Sequence, residues 1–283
     1  MERRSTIFAL SSARGRAGVC VFRISGPQAN AAIAALTGAP APPPRHAVVR
    51  DIRFADGSLI DRGLVLWFPA PRSFTGEDVV ELQLHGGPAI IAAATRRLGE
   101  IEGLRPADPG EFTRRAFANG KLDLTEAEGL ADLIAAETEQ QRRLALRQST
   151  GALKDLYERW RDELVRSLAH LEASIDFADE DLPEGLIAGV RTAVERPATG
   201  IAAHLSDGRR GEIVRDGFTV VILGEPNVGK SSLLNALARR DAAIVSAIPG
   251  TTRDLLEVDL DLAGYAVTLI DTAGLRKTTG AIE

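Results

Sequence analysis

Residues 224–231 have the types and spacing of a phosphate-binding loop. Their sequence, GEPNVGKS, fits the pattern G-x-x-x-x-G-K-S/T and lies between an apolar run predicted as a strand (218–223) and a predicted helix (232–238). In such a loop the glycines let backbone N–H groups turn towards phosphate oxygens, and the helix N-terminus adds partial positive charge. We expect Lys230 to contact the β- and γ-phosphates of a nucleotide and the Ser231 hydroxyl to bind Mg²⁺.

Two further stretches favour a GTPase over other P-loop proteins. The segment 271–274 (DTAG) ends a predicted strand with a D-x-x-G motif, which places a carboxylate beside Mg²⁺ and a glycine N–H beside the γ-phosphate. The loop 249–254 (PGTTRD) offers hydroxyl groups to the metal, and the alternating segment 256–262 predicts a β-hairpin that leads into the D-x-x-G strand. This order is typical of a switch GTPase, and an ATPase is the less favoured interpretation.

The residue that follows the D-x-x-G motif, Leu275, has no hydrogen-bonding side chain. A glutamine at this position would orient the attacking water. Hydrolysis must therefore draw on another group. The candidates are the carboxylate of Glu283 and a cation held near Asn227.

Composition restricts the class of protein. The chain has 283 residues, 45% of them hydrophobic, and this length is enough for two or three domains. Its net charge of −5 disfavours a general polyanion binder. No apolar stretch is long enough to cross a membrane. The single cysteine, Cys20, excludes an internal disulfide and suits a reducing cytoplasm, and its apolar surroundings favour a buried side chain over a reactive thiol. The four histidines are scattered, without zinc-site spacing.

The first 120 residues mix strand and helix patterns and predict an α+β domain. Strands are predicted near 5–10, 19–24, 46–54, 59–68 and 79–84, helices near 29–36 and 88–98, and a loop-rich link over 106–121. Alternation in the strand 79–84 puts Val80, Leu82 and Leu84 on one face and Glu81 on the other. Taken alone, Glu81 would be a solvated residue.

From about residue 122 the apolar pattern becomes helical. The residues 125–128 (TEAE) are interpreted as a capping box, and an apolar stripe over 153–175 predicts a long amphipathic helix. A further helix is predicted over 186–205, with a kink or break at Pro197.

Motifs in all of these regions resemble those of the tRNA-modification GTPase family called MnmE or TrmE. They are VFRISGP at 21–27, SFTGED at 73–78, HGGP at 85–88, PGEFT at 109–113 and NGKLDL at 119–124, together with the GTPase motifs. The resemblance covers the whole chain. It implies a multidomain α+β and α/β protein, with an N-terminal folate-binding and dimerisation domain (1–120), the first part of a helical domain (121–214) and an incomplete P-loop GTPase domain (215–283).

The resemblance also implies a set of binding residues. Those for 5-formyltetrahydrofolate or a related tetrahydrofolate are Arg23, Glu81 and Lys121, since a carboxylate can pair with pterin N–H groups and cations can meet the glutamate tail. Contacts to GTP fall on Asn227, Val228, Gly229, Lys230, Ser231, Ser232, Ser246, Ala247, Ile248, Pro249, Gly250, Thr251, Thr252, Asp271, Thr272, Ala273 and Gly274. Metal contacts fall on Ser231 and Thr252 for Mg²⁺ and on Asn227, Ser246, Ile248 and Thr251 for K⁺. The implied catalytic set is Glu283, which would orient water, with Lys230, Thr252 and Gly274.

By the same resemblance, the chain would hydrolyse GTP in adding a carboxymethylaminomethyl group to the wobble uridine of tRNA. It would act in the cytoplasm, away from membranes, as a homodimer joined in a heterotetramer with a FAD-dependent partner of the MnmG (GidA) type. Two alternatives stay open. The chain could be another P-loop switch GTPase, such as a ribosome-assembly factor, or a remnant that keeps folate and dimer functions without turnover.

The nucleotide region over 216–283 is shorter than such GTPase domains, which run to about 150 residues or more. No N-K-x-D motif follows the P-loop, and the family's C-terminal Cys-x-Gly-Lys is missing, so we expect a C-terminally truncated sequence. With later strands missing, Val267 and Leu269 are expected near water, and the region after about 216 is expected to be loosely ordered. Such a chain would bind GTP and ATP weakly and without preference and would not complete tRNA modification.

Overall fold

The computed structural model describes residues 5–13, 15–176, 186–207, 209–223, 229–230, 233, 236 and 256–271. The chain divides into two compact units, residues 1–127 and residues 128–283. Helices and sheets occur in both units, which confirms the predicted mixture of α+β and α/β structure.

The first unit is built on one six-stranded sheet. Its strands are β1 (Thr6–Leu10), β2 (Ala17–Ser25), β3 (Val48–Arg53), β4 (Leu59–Phe68), β5 (Val79–Gly86) and β6 (Leu104–Pro106). They lie in the order β3-β4-β5-β2-β1-β6, and neighbours are antiparallel except for β1 and β6. The five longer strands agree with the alternation patterns of the sequence.

The core of this unit lies on one face of the sheet. Helices α1 (Ala29–Thr37) and α2 (Pro88–Gly99) contribute to one buried cluster with the inward residues of β2 and β5, such as Phe22 and Leu82. Phe22 and Leu82 are cross-strand partners, and so are the adjacent residues Arg23 and Glu81. Because successive side chains of a strand point to opposite faces, Arg23 and Glu81 lie on the face away from this core.

A third helix, α3 (Glu111–Ala118), replaces the loop-rich link predicted over 106–121, so that prediction is wrong. The helix follows Gly110, whose φ of 72° lies in the left-handed region that glycine adopts readily. Glu111 and Arg115, one turn apart, form an ion pair of 2.9 Å that supports the short helix. The sequence did not predict this helix because the prolines and glycines that precede it are typical of turns.

Helix α4 (Leu124–Ala135) begins one residue before the predicted capping box, which is therefore misplaced. The Asp123 carboxylate accepts a hydrogen bond from the N–H of Glu126 at 2.8 Å, and the N–H of Asp123 donates to the Glu126 carboxylate at 2.8 Å. The observed capping box is thus formed by Asp123 and Glu126, whereas the sequence pattern predicts it at residues 125–128.

The second unit continues with helices α5 (Glu139–Ser149), α6 (Ala152–Asp176), α7 (Leu186–Leu205) and α8 (Arg210–Asp216). Helix α6 confirms the long amphipathic helix. Helix α7 passes through Pro197 without the break considered from the sequence. The Pro197 side chain is buried, and this packing offsets the hydrogen bond that proline removes. No helix of the described residues is long and apolar enough to cross a membrane.

A three-stranded sheet follows, with strands β7 (Phe218–Ile222), β8 (Leu256–Leu262) and β9 (Tyr265–Asp271) in the order β7-β9-β8. Strand β9 is parallel to β7 and antiparallel to β8, as the hairpin prediction requires. Val267 and Leu269 are only 6% and 5% exposed, so their predicted exposure is wrong. They are cross-strand partners of Leu260 and Val258, which pack with them in one cluster.

Two helix glycines provide a test of packing in the second unit. A Cβ on Gly129 of α4 would lie 2.5 Å from the backbone nitrogen of Ser149, whereas a Cβ on Gly189 of α7 would meet nothing within 4 Å. We expect Gly129→Ala to lower the free energy of unfolding by about 1–3 kcal/mol. Gly189→Ala should raise it by up to about 1 kcal/mol through helix propensity.

Urea unfolding of both glycine variants can be followed by the fluorescence of Trp160 in a Trp67→Phe background, since these are the two tryptophans of the chain. Equal stability of the two variants would contradict the close approach of α4 and α5 at Gly129.

Candidate functional site

An ion pair between Arg23 of β2 and Glu81 of β5 lies at the centre of the candidate site. The Nε and Nη2 atoms of Arg23 both donate to Oε1 of Glu81, at 3.0 and 2.8 Å. The side chains are 27% and 20% exposed, so the pair is shielded from bulk water but accessible, and Glu81 is not the solvated residue that its position alone suggests. Oε2 of Glu81 has no hydrogen-bond partner among the described residues, which leaves an acceptor for a ligand.

Two aromatic rings flank the guanidinium group of Arg23. Its Cζ lies 5.2 Å from the ring centroid of Phe74 and 5.9 Å from that of Phe112. Phe74 belongs to the loop between β4 and β5, and Phe112 belongs to α3. Both rings are partly exposed. The sheet, the loop and α3 therefore meet at Arg23, through contacts of the cation–π type.

Lys121 lies just after α3 and borders the same loop. Its Nζ donates to the carbonyl oxygen of Pro71 at 3.2 Å, and its backbone N–H donates to the carbonyl oxygen of Ala116 at 2.8 Å. The side chain is exposed and makes no ion pair with Glu81 within the described part of the chain. The structure thus brings Arg23 and Glu81 into contact and places Lys121, just after α3, against the loop that carries Phe74.

Hydrogen bonds hold this loop against the sheet and against α3. The Ser25 hydroxyl is 2.7 Å from the Thr75 hydroxyl and donates to Oε2 of Glu77 at 2.8 Å. Nη1 of Arg115 donates to the same Glu77 oxygen at 3.0 Å. Nδ2 of Asn119 donates to the carbonyl oxygen of Thr75 at 2.6 Å. The motif SFTGED is therefore a loop anchored by buried polar contacts.

A buried carboxylate, Glu111, joins α3 to the edge of the sheet. It is 3% exposed and pairs with Arg105 at 2.6 Å and with Arg115 at 2.9 Å, and it also accepts from the N–H of Asp108 at 2.9 Å. Hydrogen bonding from Arg105 is the main reason why the pKa of Glu111 falls to about 2, although burial opposes this change. The carboxylate is thus ionised at neutral pH.

Five side chains of this region are not among the functional residues predicted from the sequence. They are Phe74, Glu77, Glu111, Phe112 and Arg115. Four of them lie inside the motifs SFTGED and PGEFT, so the signal was present in the sequence. What was missing was their common location in space.

A second polar pair lies at the end of β5. Nδ1 of His85 is 2.8 Å from Oδ1 of Asp61, and the N–H of His85 donates to Oδ2 of Asp61 at 2.8 Å. Burial opposes ionisation of Asp61, but hydrogen bonds from His85 and from the backbone of Arg62 outweigh it and lower the pKa of the carboxyl. Cys20, also nearby, is 1% exposed, and burial raises the pKa of its thiol, which confirms the expected buried side chain.

Of the predicted nucleotide contacts, Gly229, Lys230 and Asp271 lie within the described residues. Gly229 has a φ of 96°, its carbonyl oxygen accepts from the N–H of Leu233 at 2.9 Å, and Lys230 is partly buried at this helical turn. Ile222, the last residue of β7, is the register partner of Asp271 at the end of β9. The C-terminal ends of β7 and β9 are therefore neighbours, so the end of the strand before the P-loop lies beside the start of the D-x-x-G motif.

The remaining nucleotide and metal predictions lie outside the described residues: Asn227, Val228, Ser231, Ser232, Ser246, Ala247, Ile248, Pro249, Gly250, Thr251, Thr252, Thr272, Ala273, Gly274 and Glu283. Over the residues that the structure does describe, no group of three or more His, Cys, Asp or Glu side chains could hold a metal ion.

Two family models match the chain. A model described as the GTP-binding protein TrmE N-terminus matches residues 6–121, and a model described as the MnmE helical domain matches residues 124–276. The chain belongs to the MnmE family. The Arg23–Glu81 pair and α3 lie within the first MnmE match, and α5 to β9 lie within the second.

Two of three similar curated relatives carry the same family name. The tRNA modification GTPase MnmE of Parvibaculum lavamentivorans is 63% identical over 281 residues, and that of Paramagnetospirillum magneticum is 60% identical over 280 residues. The mitochondrial 5-taurinomethyluridine-[tRNA] synthase subunit GTPB3 of Danio rerio is 56% identical over 280 residues. Each alignment covers 98% of this chain but only 64%, 63% and 56% of the respective relative. The chain therefore spans less than two thirds of the length of these relatives.

Proposed function

We propose that the chain is a GTP-binding and GTP-hydrolysing protein of tRNA modification, which takes part in adding a carboxymethylaminomethyl group at C5 of the wobble uridine. The observation that carries the proposal is the register of β7 and β9, which sets the strand before the P-loop beside Asp271. The names of the curated relatives, tRNA modification GTPase and 5-taurinomethyluridine-[tRNA] synthase subunit, support tRNA as the substrate.

In this proposal Lys230 contacts the β- and γ-phosphates of GTP, and the Gly274 N–H contacts the γ-phosphate. Glu283 orients the attacking water, because Leu275 cannot. The metal ions would neutralise charge that develops on the phosphates. Their proposed protein contacts are Ser231 and Thr252 for Mg²⁺, and Asn227, Ser246, Ile248 and Thr251 for K⁺.

The first unit would bind 5-formyltetrahydrofolate or a related tetrahydrofolate, the one-carbon donor for the modification. The residues fit such a ligand, because Oε2 of Glu81 can accept from pterin N–H groups while Arg23 and Lys121 supply cations for carboxylates. When bound, the folate supplies the carbon unit. The chain's own residues bind and orient it on the open face of the sheet.

The assembly is part of the same proposal. We place a folate-binding and dimerisation domain at 1–120, the first part of the helical domain at 121–214 and a P-loop GTPase domain at 215–283. The protein would act as a cytoplasmic homodimer, in a heterotetramer with a FAD-dependent partner of the MnmG type, on tRNA. Family membership supports this arrangement.

Potassium-dependent GTP hydrolysis by the 283-residue chain tests the proposed function. Hydrolysis in K⁺ that is absent in Na⁺ supports it. GTP binding without hydrolysis in either salt, with folate binding retained, would favour a remnant without turnover. Hydrolysis by a chain that does not bind folate would favour another switch GTPase, such as a ribosome-assembly factor.

Substitution of the central ion pair tests the folate site. We expect Arg23→Ala or Glu81→Ala to weaken binding of 5-formyltetrahydrofolate by about 10- to 100-fold, since hydrogen bonds to charged groups contribute about 1.5–3 kcal/mol. Isothermal titration calorimetry on the full chain measures this loss.

Arg53→Ala is the matched control, because Arg53 also pairs with a carboxylate, Asp51, on the same sheet. It should leave folate affinity unchanged. A chain that gives no binding heat before any substitution would contradict the folate part of the proposed function.

A further inference from the structure

Glu77 forms a shielded bridge between the sheet and α3. Its Oε2 accepts from the Ser25 hydroxyl of β2 at 2.8 Å and from Nη1 of Arg115 of α3 at 3.0 Å. The Glu77 and Arg115 side chains are 13% and 10% exposed. Charge-assisted hydrogen bonds with so little access to water are strong and directional. This bridge therefore fixes α3 relative to β2.

The same bridge joins the two segments that carry the aromatic rings of the candidate site. Glu77 follows Phe74 by three residues, and Arg115 follows Phe112 by three residues. Arg115 is held further by Glu111 at 2.9 Å and by the carbonyl oxygen of Ser5 at 2.9 Å. Neither the loop nor α3 can shift without breaking these contacts, so the positions of the two rings are coupled through Glu77.

The rings, the guanidinium group and the open Glu81 oxygen together suit one class of ligand. Phe74 and Phe112 are partly exposed, so they offer apolar surface for a ligand beside Arg23. Aromatic faces favour flat, polarised rings, and a carboxylate oxygen favours N–H donors on their edge. A flat heteroaromatic ring with N–H groups on one edge satisfies both requirements at once, whereas an aliphatic ligand lacks the flat ring that the aromatic faces favour.

We propose that Phe74 and Phe112 are the walls of the folate site that recognise its flat pterin ring, and that the Glu77–Arg115 bridge positions them. The inference rests on the proposed folate binding and adds to it the residues that select the ring. Glu77 and Arg115 act through the aromatic rings and are positioning residues.

The test is a set of calorimetric titrations of the full chain with 5-formyltetrahydrofolate. Phe74→Leu and Phe112→Leu keep an apolar side chain but remove the aromatic face, and each should weaken binding by about 10-fold. Glu77→Gln keeps an acceptor for Ser25 but removes the charge opposite Arg115, and it should weaken binding by about 5- to 10-fold.

Combined variants distinguish positioning from a general loss of structure. If Glu77 acts through the rings, adding Glu77→Gln to the Phe74→Leu, Phe112→Leu double variant should weaken binding by less than about 2-fold more. Fully additive losses would overturn the positioning role. Glu100→Gln is the matched control, since Glu100 pairs with Arg97 in the same unit but is 46% exposed, and it should bind folate like the unmutated chain.

The fluorescence of Trp67 in a Trp160→Phe background reports whether the first unit remains folded in each variant. If Glu77→Gln unfolds the first unit, Arg115→Lys takes its place in the same set of combined variants. Lysine keeps the positive charge but lacks the planar guanidinium group through which Arg115 contacts both Glu77 and Glu111. Unchanged affinity in folded Phe74→Leu and Phe112→Leu variants would overturn the inference and leave the proposed function intact. Absence of folate binding by the unmutated chain would instead overturn the proposed function.

Discussion

Lys230→Ala will weaken nucleotide binding by at least about 100-fold, because loss of one partner from a shielded charge pair costs about 2–5 kcal/mol. Lys230 follows Gly229 at a helical turn and is partly buried, as a P-loop lysine that meets phosphates should be. The first unit should stay folded. Fluorescence titration of the full chain with a labelled GTP analogue in Mg²⁺ and K⁺ measures the change in affinity.

Lys154→Ala is the matched control for this substitution. It removes the same charge from α6, outside the P-loop, and should leave nucleotide affinity within about 2-fold of the unmutated value because it makes no phosphate contact. If the Lys230→Ala chain binds the analogue as tightly as the control, the P-loop assignment is wrong.

Glu111→Gln will lower the free energy of unfolding of the first unit by about 3–5 kcal/mol, the usual effect of removing one member of a buried ion pair. Glu111 is 3% exposed and is the common partner of Arg105 and Arg115. Without its charge, Arg115 keeps only Glu77 as an ionic partner within the described residues. Urea unfolding followed by Trp67 fluorescence in a Trp160→Phe background measures this loss.

The effect of Glu111 should depend on pH in a direction that follows from its pKa. Hydrogen bonding from Arg105 is the main cause that lowers the pKa of Glu111 from its ordinary 4.5 to about 2 in the folded protein. A carboxyl with a depressed folded pKa contributes its full stability above the unfolded value and loses it as pH falls through the folded value. This contribution is about 3 kcal/mol. The stability difference between the unmutated chain and Glu111→Gln should therefore shrink between pH 4.5 and about pH 2.

Glu100→Gln is again the control, since it removes a carboxylate of the same unit that is 46% exposed and lies 3.6 Å from its partner Arg97. Such pairs contribute little, so its unfolding curve should stay close to that of the unmutated chain at every pH. A Glu111→Gln variant as stable as Glu100→Gln at neutral pH would show that the network around Arg115 does not support the fold.

Short-range patterns in the sequence were sufficient to predict most of the helices and strands. Alternation over 79–84 predicted the inward side of β5, the stripe over 153–175 predicted α6, and the strand signals around the P-loop predicted β7 and the β8–β9 hairpin. These predictions held because side-chain direction repeats with fixed periods along strands and helices. Helix α3 was missed because an eight-residue helix gives too few periods to outweigh turn residues.

The nucleotide motif is determined by the sequence itself, because the eight residues of a P-loop are contiguous and their types dictate the backbone conformation and charge. The candidate folate site is different. Arg23 and Glu81 lie 58 residues apart and meet because β2 and β5 are neighbours in a particular register. Phe74, Phe112 and the Glu77–Arg115 bridge reach the same place only when α3 and the β4–β5 loop pack on that face. Tertiary structure decides such contacts, because they depend on strand order and helix packing, which no local spacing encodes.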